Sequence, residues 1–237
     1  MVVQEESRIR VVIVTSTAGS LISKLLPLAY FRERIACVVA DRKCGAIDVA
    51  RQFGVPCEII ATDTGLDFSN RVAEKFGNEQ IDLFVSFYKK LFRGRFLDDT
   101  RGRLVNLHPS ILPACPGKDG FGETVRARAN FIGATIHYVD AGLDTGSPII
   151  QSACPYHPDE SFARNRHKIF VQQCRMLLQV IAWREQNRLV LDPSGRSLVL
   201  DAKYEIGEFA PCIEFAGALD FMVPFDESLG WAQTVPR

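Results

Sequence analysis

Residues 105–117 read VNLHPSILPACPG. Asn106 and His108 stand two apart at the end of an apolar run, so on an extended strand both side chains leave the same face. An amide N–H beside an imidazole is equipment for stabilising a developing oxyanion and moving a proton. Pro109 fixes the turn after the imidazole, and Pro113, Pro116 and Gly117 stiffen the rest, as suits a reactive loop or a plain tight turn. A second group of reactive residue types lies in GATIHYVDAGLDTGSPIIQ, residues 133–151. Here His137 and Val139 alternate on a strand, and Asp140 and Asp144 flank a short loop. Paired loop carboxylates suggest a calcium site, but the intervening Ala-Gly-Leu supplies no oxygen side chain. Turn-forming Asp and Gly account for the loop, and no metal is expected.

The elements that must hold these residues alternate regularly. IRVVIVTS (9–16), RIACVVAD (34–41), VPCEII (55–60), IDLFVSF (81–87) and GRLVNLH (102–108) are short apolar, β-branched runs, the pattern of strands buried on both faces. Between them, LISKLLPLAYF (21–31), GAIDVARQFG (45–54) and FSNRVAEKFG (68–77) read as helices. Such alternation builds βαβ units, hence an α/β fold with a mainly parallel, Rossmann-like twisted sheet and helices on both faces. Ligands of these sheets collect outside the carboxyl ends of the strands, where Asn106 and His108 would stand. Further on, the sequence predicts a helix over 122–131, strands over 132–140 and 147–153, and a long helix over 161–186. A hairpin (LVLDPSGRSLVLD) and a Pro- and Phe-containing tail follow. The expected division is a catalytic domain over 1–191, with residues 192–237 packed on it as hairpin and tail.

Composition limits what else the chain does. Lys plus Arg and Asp plus Glu each number 28, so net charge is +0, a balance that argues against gripping nucleic acid through a basic face. Arg93–Arg95 and Arg101–Arg103 read as solvated basic clusters. The 7 cysteines, at 37, 44, 57, 115, 154, 174 and 212, form no Cys-x-x-Cys pair, which points to reduced thiols. The N-terminus has no secretory layout, and no apolar run is long enough to cross a bilayer. A cytoplasmic protein with no membrane or nucleic-acid partner is expected, as a monomer or homodimer.

Taken together, Asn-x-His-Pro-Ser-x-x-Pro and His-x-Val-x-x-x-x-Asp-x-Gly-x-x-Ile-x-Gln, about thirty residues apart, resemble the formyltransferases that use 10-formyltetrahydrofolate. Among them the chain is nearest in size to the glycinamide ribonucleotide enzymes. The resemblance runs in element order from Ile9 to Leu191 and is specific from Ile81 to Gln151. It implies Asn106, His108 and Asp144 as the catalytic trio, with His137 supporting Asp144. It implies a donor slot formed by Val85, Lys90, Leu91, Phe92 and Val139 and by the loop Asp140, Ala141, Gly142 to Asp144, where backbone does most of the recognising. Ser16, Gly19, Ser20, Pro109 and Gln173 fall on the acceptor side.

That acceptor side departs from the family pattern. TSTAGSL (15–21) keeps Ser16, Gly19 and Ser20 but lacks the family's asparagines and one glycine. Gln173 stands where the family carries a Glu that meets the substrate amine, and KDGFGET (118–124) lacks the usual histidines. These departures imply transfer to a small-molecule amine other than the standard purine substrate, with glycinamide ribonucleotide as the alternative. A formyltetrahydrofolate deformylase is a further alternative, weakened because the first strand starts at Ile9 with no regulatory domain ahead of it. A non-catalytic folate binder would have no reason to keep all three reacting residues. The tail is too short for the OB barrel of the sugar and methionyl-tRNA enzymes. It is expected to pack over the acceptor cleft or, alternatively, to form a dimer contact.

Overall fold

The β-branched runs become the centre of one sheet. The computed structural model describes residues 8–226. In chain order its first half comprises β1 (Val11–Thr15), α1 (Ser20–Leu25), α2 (Ala29–Arg32), β2 (Ile35–Ala40), α3 (Gly45–Gln52), β3 (Cys57–Ile59), α4 (Gly65–Phe76), β4 (Leu83–Phe87) and α5 (Arg95–Asp99). Then come β5 (Leu104–His108), α6 (Gly120–Arg126), β6 (Phe131–Tyr138), β7 (Pro148–Pro155), α7 (Phe162–Glu185), β8 (Leu189–Leu191), β9 (Ser197–Val199), β10 (Phe209–Ala210) and α8 (Ala216–Leu219).

Eight strands form the main sheet in the order β10-β7-β6-β5-β4-β1-β2-β3, and β8 and β9 pair separately as the hairpin. β3, β2, β1, β4 and β5 run parallel, while β6, β7 and β10 are added antiparallel. β1 lies between β2 and β4, so the chain order reverses beside it, and the ligand side of such a sheet is the carboxyl end at that switch.

Side-chain alternation divides the core in two. Val11, Ile13, Leu83, Val85, Val105 and Leu107 pack on one face with α1, α2, α3 and α7. Val12, Val14, Phe84 and Leu104 pack on the other with Phe68, Val72 and Phe76 of α4 and Phe96 of α5. Asn106 and His108 share the parity of Leu104 and therefore belong to this second face. In β6, Ile132, Ala134, Ile136 and Tyr138 turn to the first face. Thr135 and His137 consequently join Asn106 and His108, and the register pairs Asn106 with His137 and His108 with Thr135.

Two helical expectations need correction. LISKLLPLAYF is not one helix: Pro27 has no N–H to continue the ladder, and the chain breaks into α1 and α2. The helix expected over 122–131 starts at Gly120 and stops at Arg126, because Arg128 takes a left-handed φ of 54° that turns the chain into β6.

α7 is buried nearly all round, including Gln172, Gln173 and Gln179. The sheet covers one side and the tail the other. Gln179 Oε1 accepts from the backbone N–H of Glu214 (2.6 Å) and Phe215 (2.7 Å). Further along, Arg175 Nε donates to Phe221 O at 2.9 Å, and His167 Nε2 donates to Val223 O at 2.8 Å. Arg164 lies over the Phe225 ring. β10 closes the sheet edge against β7, removing an open row of backbone groups. Gln173 is two residues from Arg175, roughly 200° around the helix, so the described tail covers the side away from Gln173 rather than over it. The end of the expected tail, 227–237, lies outside the described residues.

Candidate active site

The two reactive groups meet at Asp144. Its Oδ2 lies 3.4 Å from His108 Nδ1, and its Oδ1 lies 3.5 Å from His137 Nε2. Asn106 Nδ2 is 3.5 Å from Oδ1 and 3.2 Å from His137 Nε2. The Gly117 backbone N–H donates to Oδ2 at 2.7 Å, tying the loop after His108 to the same carboxylate. Asp144 reaches this point from a left-handed backbone (φ 54°), an uncommon conformation of the kind that concentrates at functional sites. Asp140, the other loop carboxylate, has a structural job: its Oδ1 accepts from Gly142 N (3.0 Å) and Thr145 Oγ1 (2.7 Å). No group of three or more His, Cys, Asp or Glu among the described residues is arranged to hold a metal ion.

Burial by itself would push the Asp144 carboxyl up. The His137 ring, the Gly117 N–H and the charge available on His108 outweigh it, and the pKa lies below the ordinary 3.8. The charged form therefore persists at neutral pH. His137 Nδ1 donates to Tyr138 O at 2.8 Å. A neutral ring then accepts from Asn106 at Nε2, whereas a charged ring donates from Nε2 to Asp144. His108 likewise has an acceptor at each nitrogen, with its Nε2–H donating to Cys115 O at 2.8 Å.

A buried network fixes the loop between these residues. Thr135 Oγ1 donates to Ser110 O (2.8 Å) and accepts from Leu112 N (3.0 Å) and Gln151 Nε2 (3.1 Å). Gln151 Nε2 also donates to Leu112 O at 2.7 Å. Ser110 Oγ lies 2.6 Å from Ala114 O and 3.1 Å from Cys115 O, the carbonyl that His108 uses. Gln151 and Ser110 stand within the sequence motifs with no role assigned to them there, and Thr135 reads as an ordinary strand residue. Its parity with His137 is the signal that could have found it.

A family model described as formyl transferase matches residues 9–181. The chain belongs to the formyl transferase family. The phosphoribosylglycinamide formyltransferase of Mycobacterium tuberculosis is 30% identical over 207 residues, covering 84% of this chain and 94% of that protein. The crystal structure of glycinamide ribonucleotide transformylase 1 from Symbiobacterium toebii superposes with a TM-score of 0.75 at 28% identity, over 84% of this chain and 96% of that one. A formyltetrahydrofolate deformylase from Pseudomonas putida shares the fold, with a TM-score of 0.71 at 21% identity over 82% of this chain and 71% of that one. As a formyl transferase the chain is a one-carbon group transferase whose formyl donor is 10-formyltetrahydrofolate.

The residues that the family resemblance assigns to the donor are only partly gathered. Val139, Asp140 and Ala141 line a cavity of about 730 Å³ together with Gly94, Leu97, Tyr138 and the hairpin residues Leu191 and Arg196. Phe92 and Val139 pack with the second-face core. Leu91 is exposed, and Gly142 lies in the Asp140 turn. Lys90 Nζ pairs with Asp41 Oδ2 at 3.6 Å instead of facing this cavity. Val85 departs from expectation: strand alternation turns it into the first-face core, fully buried beside Ile13 and Val105, so it lines no slot.

On the acceptor side, Ser16 Oγ accepts from the backbone N–H of Lys89 at 3.1 Å. Gly19 has a φ of 81°, and a Cβ there would stand 2.7 Å from Ala46 Cα, so α3 packs directly on this turn. Ser20 opens α1 with its carbonyl accepting from Ser23 Oγ. Pro109 follows His108 directly. Gln173 is buried in α7, on the helix that packs against the first face, and no hydrogen bond among the described residues joins it to the Asp144 group.

No helix of the described residues is long and apolar enough to cross a membrane.

Proposed function

We propose that this formyl transferase passes the formyl group of 10-formyltetrahydrofolate to the amine of a small molecule other than glycinamide ribonucleotide, with Asn106, His108 and Asp144 as catalytic residues and His137 in support. The observation that carries the catalytic part is the Asp144 carboxylate, which stands within 3.5 Å of Asn106, His108 and His137 at once.

The donor supplies an activated formyl carbon on its N10. Val139, Asp140 and Ala141, on the stretch that leads to Asp144, are the donor-side residues that line the cavity beside Leu97; Asn106, His108 and Asp144 do not line it. When the acceptor amine forms its new N–C bond, negative charge develops on the formyl oxygen, and the Asn106 amide N–H is the donor best placed for it. The charge on Asp144 holds His108 ready to carry a proton. As the bond to N10 breaks, the proton lost by the amine passes through His108 and Asp144 to N10. If Asn106 turns from Asp144 to the formyl oxygen, the Gly117 N–H and the His108 ring still partner that carboxylate.

Two features favour an altered acceptor. The β1–α1 turn TSTAGSL lacks the family's asparagines and one glycine, which weakens it as a phosphate cradle, although Ser16 keeps its O–H to donate. An amide at position 173 hydrogen-bonds an ammonium where a carboxylate would attract it. A second reading, glycinamide ribonucleotide itself, is favoured by the names of the 30%-identical relatives. A mass-spectrometric screen of amines with 10-formyltetrahydrofolate, glycinamide ribonucleotide included, separates them. Formylation of glycinamide ribonucleotide at an ordinary enzymatic efficiency, on the order of 10⁴ M⁻¹s⁻¹ or more, ends the altered-acceptor proposal. Formate release without any amine would favour a deformylase instead.

A further inference from the structure

We infer that Gly120 is a positioning residue for His108: the imidazole occupies the space that a side chain at 120 would fill. The inference rests on the reading of His108 as catalytic, but the geometry behind it does not. A Cβ built on Gly120 would stand 2.5 Å from His108 Nε2, 3.0 Å from its Cε1 and 3.0 Å from Cys115 O. Real Cβ atoms do not approach other heavy atoms at 2.5 Å, so something must move.

None of the neighbours yields freely. The ring is held at Nε2 by Cys115 O and faces Asp144 Oδ2 at Nδ1. Cys115 has a left-handed φ of 53°, and its carbonyl also meets Ser110 Oγ. Asp144 is fixed in turn by the Gly117 N–H. On the other side, Gly120 cannot back away, because the next residue, Phe121, is anchored in the core and meets the Phe162 ring edge-on at 4.8 Å. The Gly120 carbonyl accepts from Thr124 Oγ1 at 2.8 Å, which ties it to its own helix. The softest of these partners is the imidazole, which can rotate about χ1 at the loss of its hydrogen bond to Cys115 O. A side chain at 120 therefore turns the ring out of line with Asp144 while leaving the fold in place. Gly122, two residues on, supplies the contrast: the three atoms nearest to a Cβ there all belong to the carboxylate of Asp119, the end of a half-exposed side chain that pairs with Arg126 and can swing outward with it.

The test is a double-mutant cycle of Gly120→Ala and His108→Ala, with Gly122→Ala as the helix control. Imidazole ¹⁵N–¹H NMR and steady-state kinetics are recorded on each folded variant. In Gly120→Ala the His108 Nε2–H signal should lose its hydrogen-bonded shift. The formyl-transfer kcat should fall about 10- to 100-fold, in line with a displaced proton carrier, with the donor KM within about 2-fold. Gly122→Ala should change neither. Should Gly120→Ala fail to fold, the double variant Gly120→Ala/His108→Ala decides. With the imidazole gone, the added methyl at position 120 should be tolerated, so the double variant should be as stable as His108→Ala alone. An unchanged His108 signal in folded Gly120→Ala overturns the inference, and so does equal damage from Gly120→Ala with and without the imidazole. Full turnover in His108→Ala would instead defeat the catalytic reading and leave the geometric result standing.

Discussion

His108 Nδ1 lies 3.4 Å from Asp144 Oδ2, with 4% and 11% of the two side chains exposed. Little solvent reaches the pair, so it is screened less than an ion pair at the surface. Asp144→Asn keeps the shape and one acceptor for the Gly117 N–H but removes the charge. Turnover should fall by about 100-fold or more, as for loss of general acid–base function. Donor affinity, measured by fluorescence titration with a non-transferable folate, should stay within a few-fold. Unchanged turnover would remove Asp144 from the catalytic set.

The same carboxyl gives a pH dependence with a definite sign. Its pKa is lowered in the folded protein, because His137, Gly117 and His108 outweigh the opposing effect of burial. Its contribution to stability is therefore fully present above the unfolded carboxyl value of about 3.8 and is lost as pH falls through the lower folded value. Urea unfolding followed from about pH 6 down to about pH 2.5 should show stability dropping below about pH 4, more steeply in the wild type than in Asp144→Asn. Equal slopes in both proteins would place the proton uptake on other carboxylates.

Thr135 is the hub of the loop that carries the chain away from His108. Replacing it by the near-isosteric valine leaves Leu112 N and Ser110 O without partners at a fully buried site. Each buried orphan costs about 1–3 kcal/mol, so Thr135→Val should destabilise by on the order of 2–4 kcal/mol in chemical denaturation. Turnover should also fall, because Ser110 helps to hold the Cys115 carbonyl that His108 uses.

How much of this was legible depended on the range of the interaction. The parallel strands were readable because a strand buried on both faces needs a dense apolar run: 11–14 and 35–40 are unbroken, and 83–87 is interrupted only by Ser86. Strand parity also put Asn106 and His108 on one face. The same parity, carried from Asn106 through its pairing with Ser86, turns Val85 to the core; by contrast, nothing local announces that Gly117 will reach Asp144 or that Gly120 will sit against the His108 ring. Those depend on how loops close over the sheet. The break at Pro27 was readable in principle, but the apolar run on either side masked it. β10 is only two residues long and carries no periodicity; its position follows from the anchoring of the residues after it to α7.

That anchoring is testable on its own terms. Gln179 is 2% exposed, and its Oε1 serves two backbone N–H groups, those of Glu214 and Phe215. Gln179→Leu keeps the bulk but strands both donors if the tail stays in place. Releasing the segment to water is then the cheaper outcome, because an unsatisfied buried N–H costs more than the net value of one hydrogen bond. Hydrogen exchange over 209–223 should accelerate by about 10-fold or more as this segment opens locally. β1 to β5 should keep their protection, since the helices on each face of the sheet remain. The outer side of α7 should gain exchange with the tail, because the Arg175–Phe221 and His167–Val223 bonds lie on the same released strip. Unaltered exchange in this segment would show that the β10–β7 pairing alone holds it down. Changed acceptor kinetics in this variant would place the tail close enough to Gln173 to influence the amine site, despite covering the opposite side of the helix.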